Sequence, residues 1–233
     1  MRFYPRYVGL GVIAVSATLA AQTSQPSAKP PESSSSKHSK SSSARLAADI
    51  DSASIANGMY HNRLLGLLCK VPAGWVLRTE EMNAREEPEP HTSEEKSSPQ
   101  GAQGSTGEGG RVLLAAFSRP PEARGEDVNA SIVIAAEKME AYPGLKEAVQ
   151  YFGPLTEVAK AQGFAVDEEP YEFSMGTKKV VRGDFHKNVG TRVMRQSTLA
   201  FLAQGYAVSI TVIGGTEDEV ESLVDGLSFG GLK

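Results

Sequence analysis

The sequence has a single cysteine, Cys69, among its 233 residues. One thiol cannot close a disulfide within the chain, and it cannot build the multi-thiolate sites that hold zinc or iron–sulfur clusters. Basic residues are not in excess, because 24 Lys and Arg stand against 28 Asp and Glu. No apolar run reaches the roughly 20 residues of a membrane-spanning helix. These absences exclude a disulfide scaffold, argue against a nucleic-acid-binding protein and predict a mature chain without a membrane span.

The first residues have the three parts of a secretory signal. Arg2 and Arg6 precede an apolar run over 8–19, which ends in small residues. This order predicts a signal peptide over 1–21, cleaved after Ala20 or Ala21. An anchor that stays uncleaved is the alternative. We therefore expect a secreted or periplasmic protein.

Two further segments lack the composition of a folded core. Residues 22–45 are almost wholly Ser, Pro, Lys, Gln and Ala, and they predict a disordered linker. Residues 82–110 are rich in Glu, Pro, Ser and Gly without helical or strand periodicity, and they predict a long disordered loop. The expected organisation is a signal over 1–21, a linker over 22–45 and one domain over 46–233 that contains this loop.

Strands dominate the pattern of the predicted domain. Apolar runs bounded by turn residues predict extended segments, and Pro72-Ala73-Gly74 closes one of them with a turn. The strongest signal is a meander of four strands in the second half, separated by turns at Gly176, Asn188-Val189-Gly190 and Gln204-Gly205. The predicted segments are 59–62, 65–71, 112–117, 130–136, 169–174, 178–186, 191–202 and 206–212.

Three helices are predicted as well. Leu46, Ile50 and Ala53 have helical spacing before Gly58, which predicts a short helix at the start of the domain. A second helical pattern spans 145–163, and Pro154 inside it predicts a kink or two short helices. The third begins at Thr216, whose position three residues before Glu219 forms a capping box. Strands followed by helices in this order predict an α+β fold with a mainly antiparallel β-sheet flanked by helices.

Several of these segments resemble the PsbP-like family, which includes the photosystem subunit PsbP, the Ran-binding Mog proteins and exported bacterial domains. The resemblance is carried by Tyr60-x-Asn62, Leu65-Gly66-Leu67, the turn Val71-Pro72-Ala73-Gly74-Trp75 and the closing Leu227-Ser228-Phe229. It covers about 58–229 without the loop. It implies an antiparallel sheet covered by helices on both sides and used for binding or assembly. The family shares no catalytic residues, so none is carried over to this chain.

Catalytic motifs are missing from the sequence. It contains no G-x-S-x-G, no G-x-x-x-x-G-K-[ST], no H-E-x-x-H and no calcium loop pattern. Asp184 and His186 lie two apart in a predicted strand, so both side chains are on one face and suit a general base or a metal-ligand pair. The alternative is that they form the solvated face of that strand. We expect neither a metal nor a cofactor.

A local excess of basic residues is the feature that points to a partner. Residues 1–45 hold six of the 24 basic residues and one of the 28 acidic ones, so residues 46–233 carry a net charge of −9. Against this acidic background, one stretch around Asn188 is basic and predicts a patch for anionic lipid, polysaccharide or an acidic protein surface. A solvated hairpin whose charges prevent aggregation is the alternative. The candidate binding residues are Lys178, Lys179, Arg182, Lys187, Arg192 and Arg195.

These observations favour one function class over two others. The sequence predicts a non-enzymatic binding or assembly module of the cell envelope, with an unknown anionic or protein partner. An exported enzyme, hydrolase-like but of unrecognised type, is one alternative, and a purely structural envelope protein is another.

Overall fold

The computed structural model describes residue 50 and residues 52–86, 110–123, 125 and 127–230. The predicted signal over 1–21 and the predicted linker over 22–45 lie outside these residues, and so does most of the predicted loop. No helix in the described part is long and apolar enough to cross a membrane.

The described residues form strands β1–β12 and helices α1–α3. The strands are β1 (Ala53–Ala56), β2 (Met59–Asn62), β3 (Leu67–Lys70), β4 (Val76–Leu77), β5 (Gly110–Phe117), β6 (Ser131–Lys138), β7 (Ala165–Val166), β8 (Tyr171–Met175), β9 (Lys178–Val189), β10 (Arg192–Ala203), β11 (Tyr206–Gly214) and β12 (Leu227–Phe229). The helices are α1 (Thr79–Glu86), α2 (Ala148–Ala161) and α3 (Glu217–Asp225).

Two antiparallel sheets are built from these strands. The large sheet has the order β4-β5-β6-β11-β10-β9-β7, and β8 also pairs with β9. The small sheet has the order β1-β2-β3-β12, so strands from both ends of the described chain lie side by side. The predicted α+β class with a mainly antiparallel sheet flanked by helices is confirmed.

The start of the domain differs from the prediction. Ile50 is helical, as the spacing of Leu46, Ile50 and Ala53 predicts, but Ala53–Ala56 is strand β1 and pairs with β2. Between these strands Asn57 and Gly58 have φ values of 53° and 72°. Two successive residues with positive φ make the two-residue hairpin turn for which Asn-Gly is the preferred pair. The predicted helix is therefore wrong from residue 53 onward, where this turn signal decides the structure.

The predicted disordered loop begins too early at residue 82. Residues 82–86 belong to α1, and Met82 packs against a cluster that includes Val112 and Phe117. The Asn83 side chain donates to the carbonyl oxygen of Val112 and accepts from its backbone N–H, both at 2.9 Å. These contacts to β5 hold a helix whose own sequence is polar. At its other end Gly110 is the first residue of β5, and residues 87–109 of the predicted loop lie outside the described residues.

Helix α2 covers one face of the large sheet. It runs through Pro154 as one helix from Ala148 to Ala161. The sequence predicts either a kink or two short helices here, and the structure has a single helix. Tyr151, Phe152 and Ala159 are buried and pack against a cluster that includes Val181 and Phe185 of β9. The helix ends just before Gly163, the last residue of the predicted pattern, whose φ of 86° is not helical.

Helix α3 lies on the opposite face. The Thr216 hydroxyl accepts a 3.1 Å hydrogen bond from the Glu219 N–H, and the Glu219 carboxylate accepts from Gly215 N at 2.8 Å. The predicted cap is therefore present. Val220, Leu223 and Val224 are buried in the main core.

The main core lies between the large sheet, the small sheet and α3. Cys69 is buried there, and Trp75 packs against the edge of this core. The Phe201 and Phe229 rings meet edge to face at 4.9 Å between centroids, which joins β10 of the large sheet to β12 of the small one.

Candidate functional site

An open cleft of about 510 Å³ lies where α3 and the segment around β7 and β8 face β9 and β10. We call it the α3 cleft. Five carboxylates and two guanidinium groups line it, so its lining is acidic overall. The lining residues are Asp167, Glu168, Tyr171, Arg182, Asp184, Phe185, Arg195, Gln196, Glu217, Val220 and Glu221.

Arg182 is the central side chain of the α3 cleft. Its side chain is only 12% exposed, and its Nε lies 3.0 Å from both carboxylate oxygens of Asp184. Its Nη1 donates to Glu221 Oε2 at 3.1 Å, and Nη2 donates to the other oxygen. The hydrogen bond from Arg182 holds the pKa of the Glu221 carboxyl below its usual range. Arg182 thus ties α3 to β9, and its charge is neutralised by two protein carboxylates.

His186 lies beside this network. Its Nδ1 pairs with the Asp167 carboxylate, and the backbone N–H of Asp167 donates to the Asp184 carbonyl oxygen at 2.9 Å. A carboxylate on one ring nitrogen can orient an imidazole for proton transfer. No Ser, Thr or Cys is among the residues that line the cleft; the nucleophilic side chains there are carboxylates and the Tyr171 phenol.

Asp184 and His186 share a face of β9, as predicted, but they do not act on one another. Asp184 bonds to Arg182, and His186 bonds to Asp167. The described residues contain no group of three or more His, Cys, Asp or Glu side chains arranged to hold a metal ion.

The six predicted binding residues are divided between the two faces of the large sheet. Side chains alternate along a strand, and the register pairs Arg195 with His186 and Arg192 with Val189. Lys178, Arg182 and Arg195 therefore share the face of the α3 cleft. Lys179, Lys187 and Arg192 share the face that α2 covers.

Three of the six have partners within the protein. Besides Arg182, Lys179 Nζ lies 2.9 Å from Glu172 Oε1. Lys187 Nζ donates to the Gln162 carbonyl oxygen at 2.6 Å and lies 5.7 Å from the centre of the Phe164 ring. The structure brings only Arg182 and Arg195 together in the α3 cleft. A binding role for the six as a group stays a prediction.

Sequence reasoning missed the acidic part of the cleft. Glu221 lies 39 positions after Arg182, and Asp167 lies 19 positions before His186. Only the packing of α3 and the pairing of β7 with β9 bring them together. Glu217 and Glu221 are four apart on the predicted closing helix, so both lie on one side of it. This spacing is the one local feature of the sequence that indicates an acidic surface there.

A second polar cluster lies on the α2 face. Glu137 is 5% exposed and accepts a hydrogen bond from the Tyr142 hydroxyl, beside an open cleft of about 400 Å³. Burial, reinforced by the Glu137 carboxylate, raises the pKa of the Tyr142 and Tyr151 phenols. Both phenols stay protonated at neutral pH. The Tyr142 and Tyr151 rings also meet edge to face at 5.2 Å, so the cluster holds the start of α2 against β6.

Comparisons with known proteins find low-scoring structural matches. No protein-family model matches the sequence, and no curated protein matches it. Among solved structures, the chain is similar to LpqN, described as involved in cell envelope biogenesis of Mycobacterium tuberculosis, with 13% identity over 69% of this chain and 76% of that one, at a TM-score of 0.32. A mutant of Mog1 has 11% identity over 69% of this chain and 79% of that one, at a TM-score of 0.34. PA94 from Pseudomonas aeruginosa, of unknown function, has 16% identity over 43% of this chain and 68% of that one, at a TM-score of 0.32.

Proposed function

We propose that the protein is a non-enzymatic binding or assembly module of the cell envelope and that the α3 cleft is its binding surface. The observation that carries this proposal is the Arg182 network. Its guanidinium is held on three nitrogens by Asp184 and Glu221, so the floor of the cleft is fixed before a ligand arrives. A pre-organised polar surface lowers the ordering cost of binding. The envelope location rests on the secretory signal predicted over 1–21.

The charge of the cleft selects the chemistry of the ligand. Arg182 neutralises Asp184 and Glu221, and Asp167 pairs with His186. Glu168 and Glu217 are exposed on the lining and form no ion pair with a described residue. The ligand that fits is a protein segment with basic side chains, rather than the anionic partner that the basic stretch suggests.

The experiment is a capture from envelope extract with the full chain as bait. The test variant carries Glu168→Gln and Glu217→Gln, which removes two cleft charges and keeps the side-chain size. The control carries Glu80→Gln and Glu140→Gln, which removes two exposed charges elsewhere. We expect one protein that the parent and the control retain, that the test variant loses, and that elutes at raised salt. Equal retention by both variants would show that the α3 cleft is not the binding surface.

An exported hydrolase-like enzyme is the second candidate, and the His186–Asp167 pair is the observation that favours it. With no Ser, Thr or Cys lining the cleft, His186 would act as a base on water. A screen of the parent and of His186→Asn against ester, peptide and glycoside substrates separates the two functions. Turnover by the parent that disappears in the variant would overturn the binding proposal.

A further inference from the structure

The β9–β10 hairpin ends in a surface that extends beyond the α3 cleft and shares only Arg195 with it. The two strands are joined at Gly190 and Thr191, and the last register pairs are Val189 with Arg192 and Val193 with Asn188. We call residues 187–195 the hairpin tip. Val189 is 47% exposed and Val193 is 37% exposed, although both are large and apolar. By strand alternation one valine lies on each face of the hairpin, so neither face of the tip is covered by the core.

The charges of the hairpin tip have one sign. Between residues 185 and 216 the chain has no Asp or Glu. Arg192 is exposed, and neither it nor Arg195 forms an ion pair with a described residue, unlike Arg182 and Lys179. Arg192 shares its face with Val189, and Arg195 shares its face with Val193. Each exposed valine is thus accompanied by a cation that forms no ion pair with a described residue, although Arg195 also lines the acidic α3 cleft.

We propose that the hairpin tip docks to the surface of a bilayer that contains anionic phospholipid. The valines enter the boundary between headgroups and acyl chains, and the arginines bind the lipid phosphates. A polysaccharide would use the cations but would leave both valines in water. A protein surface would need a groove that takes one valine from each side of a convex tip, whereas a fluid bilayer surrounds the tip on both sides. The cations counter the repulsion between the acidic body of the protein and an anionic membrane.

The test is sedimentation of the full chain with vesicles of equal parts phosphatidylglycerol and phosphatidylcholine, beside vesicles of phosphatidylcholine alone. We expect binding to the anionic vesicles that weakens as salt rises. Arg192→Glu should weaken this binding about five-fold or more, because each basic residue near the surface contributes about 1 kcal/mol. The control Arg63→Glu makes the same charge change at an exposed position between β2 and β3 and should leave binding within two-fold, roughly the span of a minor surface effect.

The valines are tested separately. The double variant Val189→Ser and Val193→Ser should also lose binding, whereas Val149→Ser, at a valine 49% exposed on α2, should not. Circular dichroism confirms that each variant is folded. Equal binding by the tip variants and their controls would overturn the proposal. Such binding would come from another part of the chain, for example the predicted signal segment.

A label at the tip gives a second readout. The emission of an environment-sensitive dye on Val193→Cys should shift to the blue with anionic vesicles. The emission of the same dye on Val149→Cys should not shift. The buried Cys69 stays unlabelled in the folded chain. No shift at position 193 while the protein sediments would show that another surface binds. Inorganic phosphate is added to the bound protein, beside chloride at the same ionic strength. If phosphate releases the protein from the vesicles and chloride does not, the tip recognises a free anion, and lipid docking is also overturned.

Discussion

At the scale of single residues, the Asn62 side chain binds Ile50, the first described residue, to the small sheet through a hydrogen bond. Its side chain is fully buried, donates to the Ile50 carbonyl oxygen at 2.8 Å and accepts from the Leu65 N–H at 3.0 Å. Asn62→Ala leaves both backbone groups without these partners, and we expect the free energy of unfolding to fall by about 1–3 kcal/mol. Urea unfolding measures the loss. Asn188→Ala, at an exposed position, is the control and should change stability by less than about 0.5 kcal/mol.

Cys69 is a second residue whose surroundings set its chemistry. Burial raises the pKa of its thiol from 9.0 to about 12. The unfolded chain ionises this thiol first, so its contribution to stability is complete below pH 9 and is lost as the pH rises toward 12. At pH 8 we expect iodoacetamide to alkylate the folded chain far more slowly than the urea-unfolded chain. Comparable rates would show that the thiol is accessible in the folded state.

At the scale of elements, two glycines near α2 should respond to alanine to different extents. A Cβ on Gly183 of β9 would lie 2.6 Å from the buried Phe152 ring, so Gly183→Ala should destabilise the protein by about 1–3 kcal/mol. A Cβ on Gly153 of α2 would meet no other part of the protein within 4 Å, but Gly153 precedes Pro154, whose ring crowds a Cβ at this helical position. This crowding offsets the gain in helix propensity, and Gly153→Ala should cost less stability than Gly183→Ala. Thermal unfolding measures both shifts. Equal losses would contradict the packing of α2 on β9.

The elements also show which structure is readable from sequence. The strands of the β8–β11 meander are predictable because turn residues at Gly176, Gly190 and Gly205 separate strand-length runs, and both signals are local. The turn at Asn57-Gly58 is an equally local signal, and it ends the helical spacing at Ile50 and Ala53. Helix α1 is different, because contacts to β5 rather than its own periodicity hold it.

Little of the α3 cleft could have been predicted. The six cations were visible as a stretch of sequence, but strand alternation sends them to two faces, and that division requires the register of β9 with β10. The carboxylates that neutralise Arg182 come in part from a helix 39 residues later. Charge counted along the chain therefore indicated an anionic partner, whereas the assembled cleft is acidic.

At the scale of the whole molecule, Phe229 joins the two sheets through its contact with Phe201. Phe229→Ala removes a buried ring from the main core and should cost about 3–5 kcal/mol. The fluorescence of Trp75, the only tryptophan, and far-UV circular dichroism should report one coincident transition in the parent, since both sheets share this core. Separate transitions in the parent would show that the two sheets unfold independently.

The pairing of β3 with β12 also sets an order of events during biosynthesis. On the ribosome, β1, β2 and β3 emerge long before residues 227–229, which supply the second partner of β3. Until then the nascent chain exposes the free edge of β3 beside Leu67 and Cys69. An unpaired edge with apolar neighbours recruits other strands, and partly folded chains are where such edges aggregate. A translation product that stops short of residue 227 therefore retains the unpaired edge of β3. We expect such truncated chains to aggregate and to be degraded more than the full-length chain.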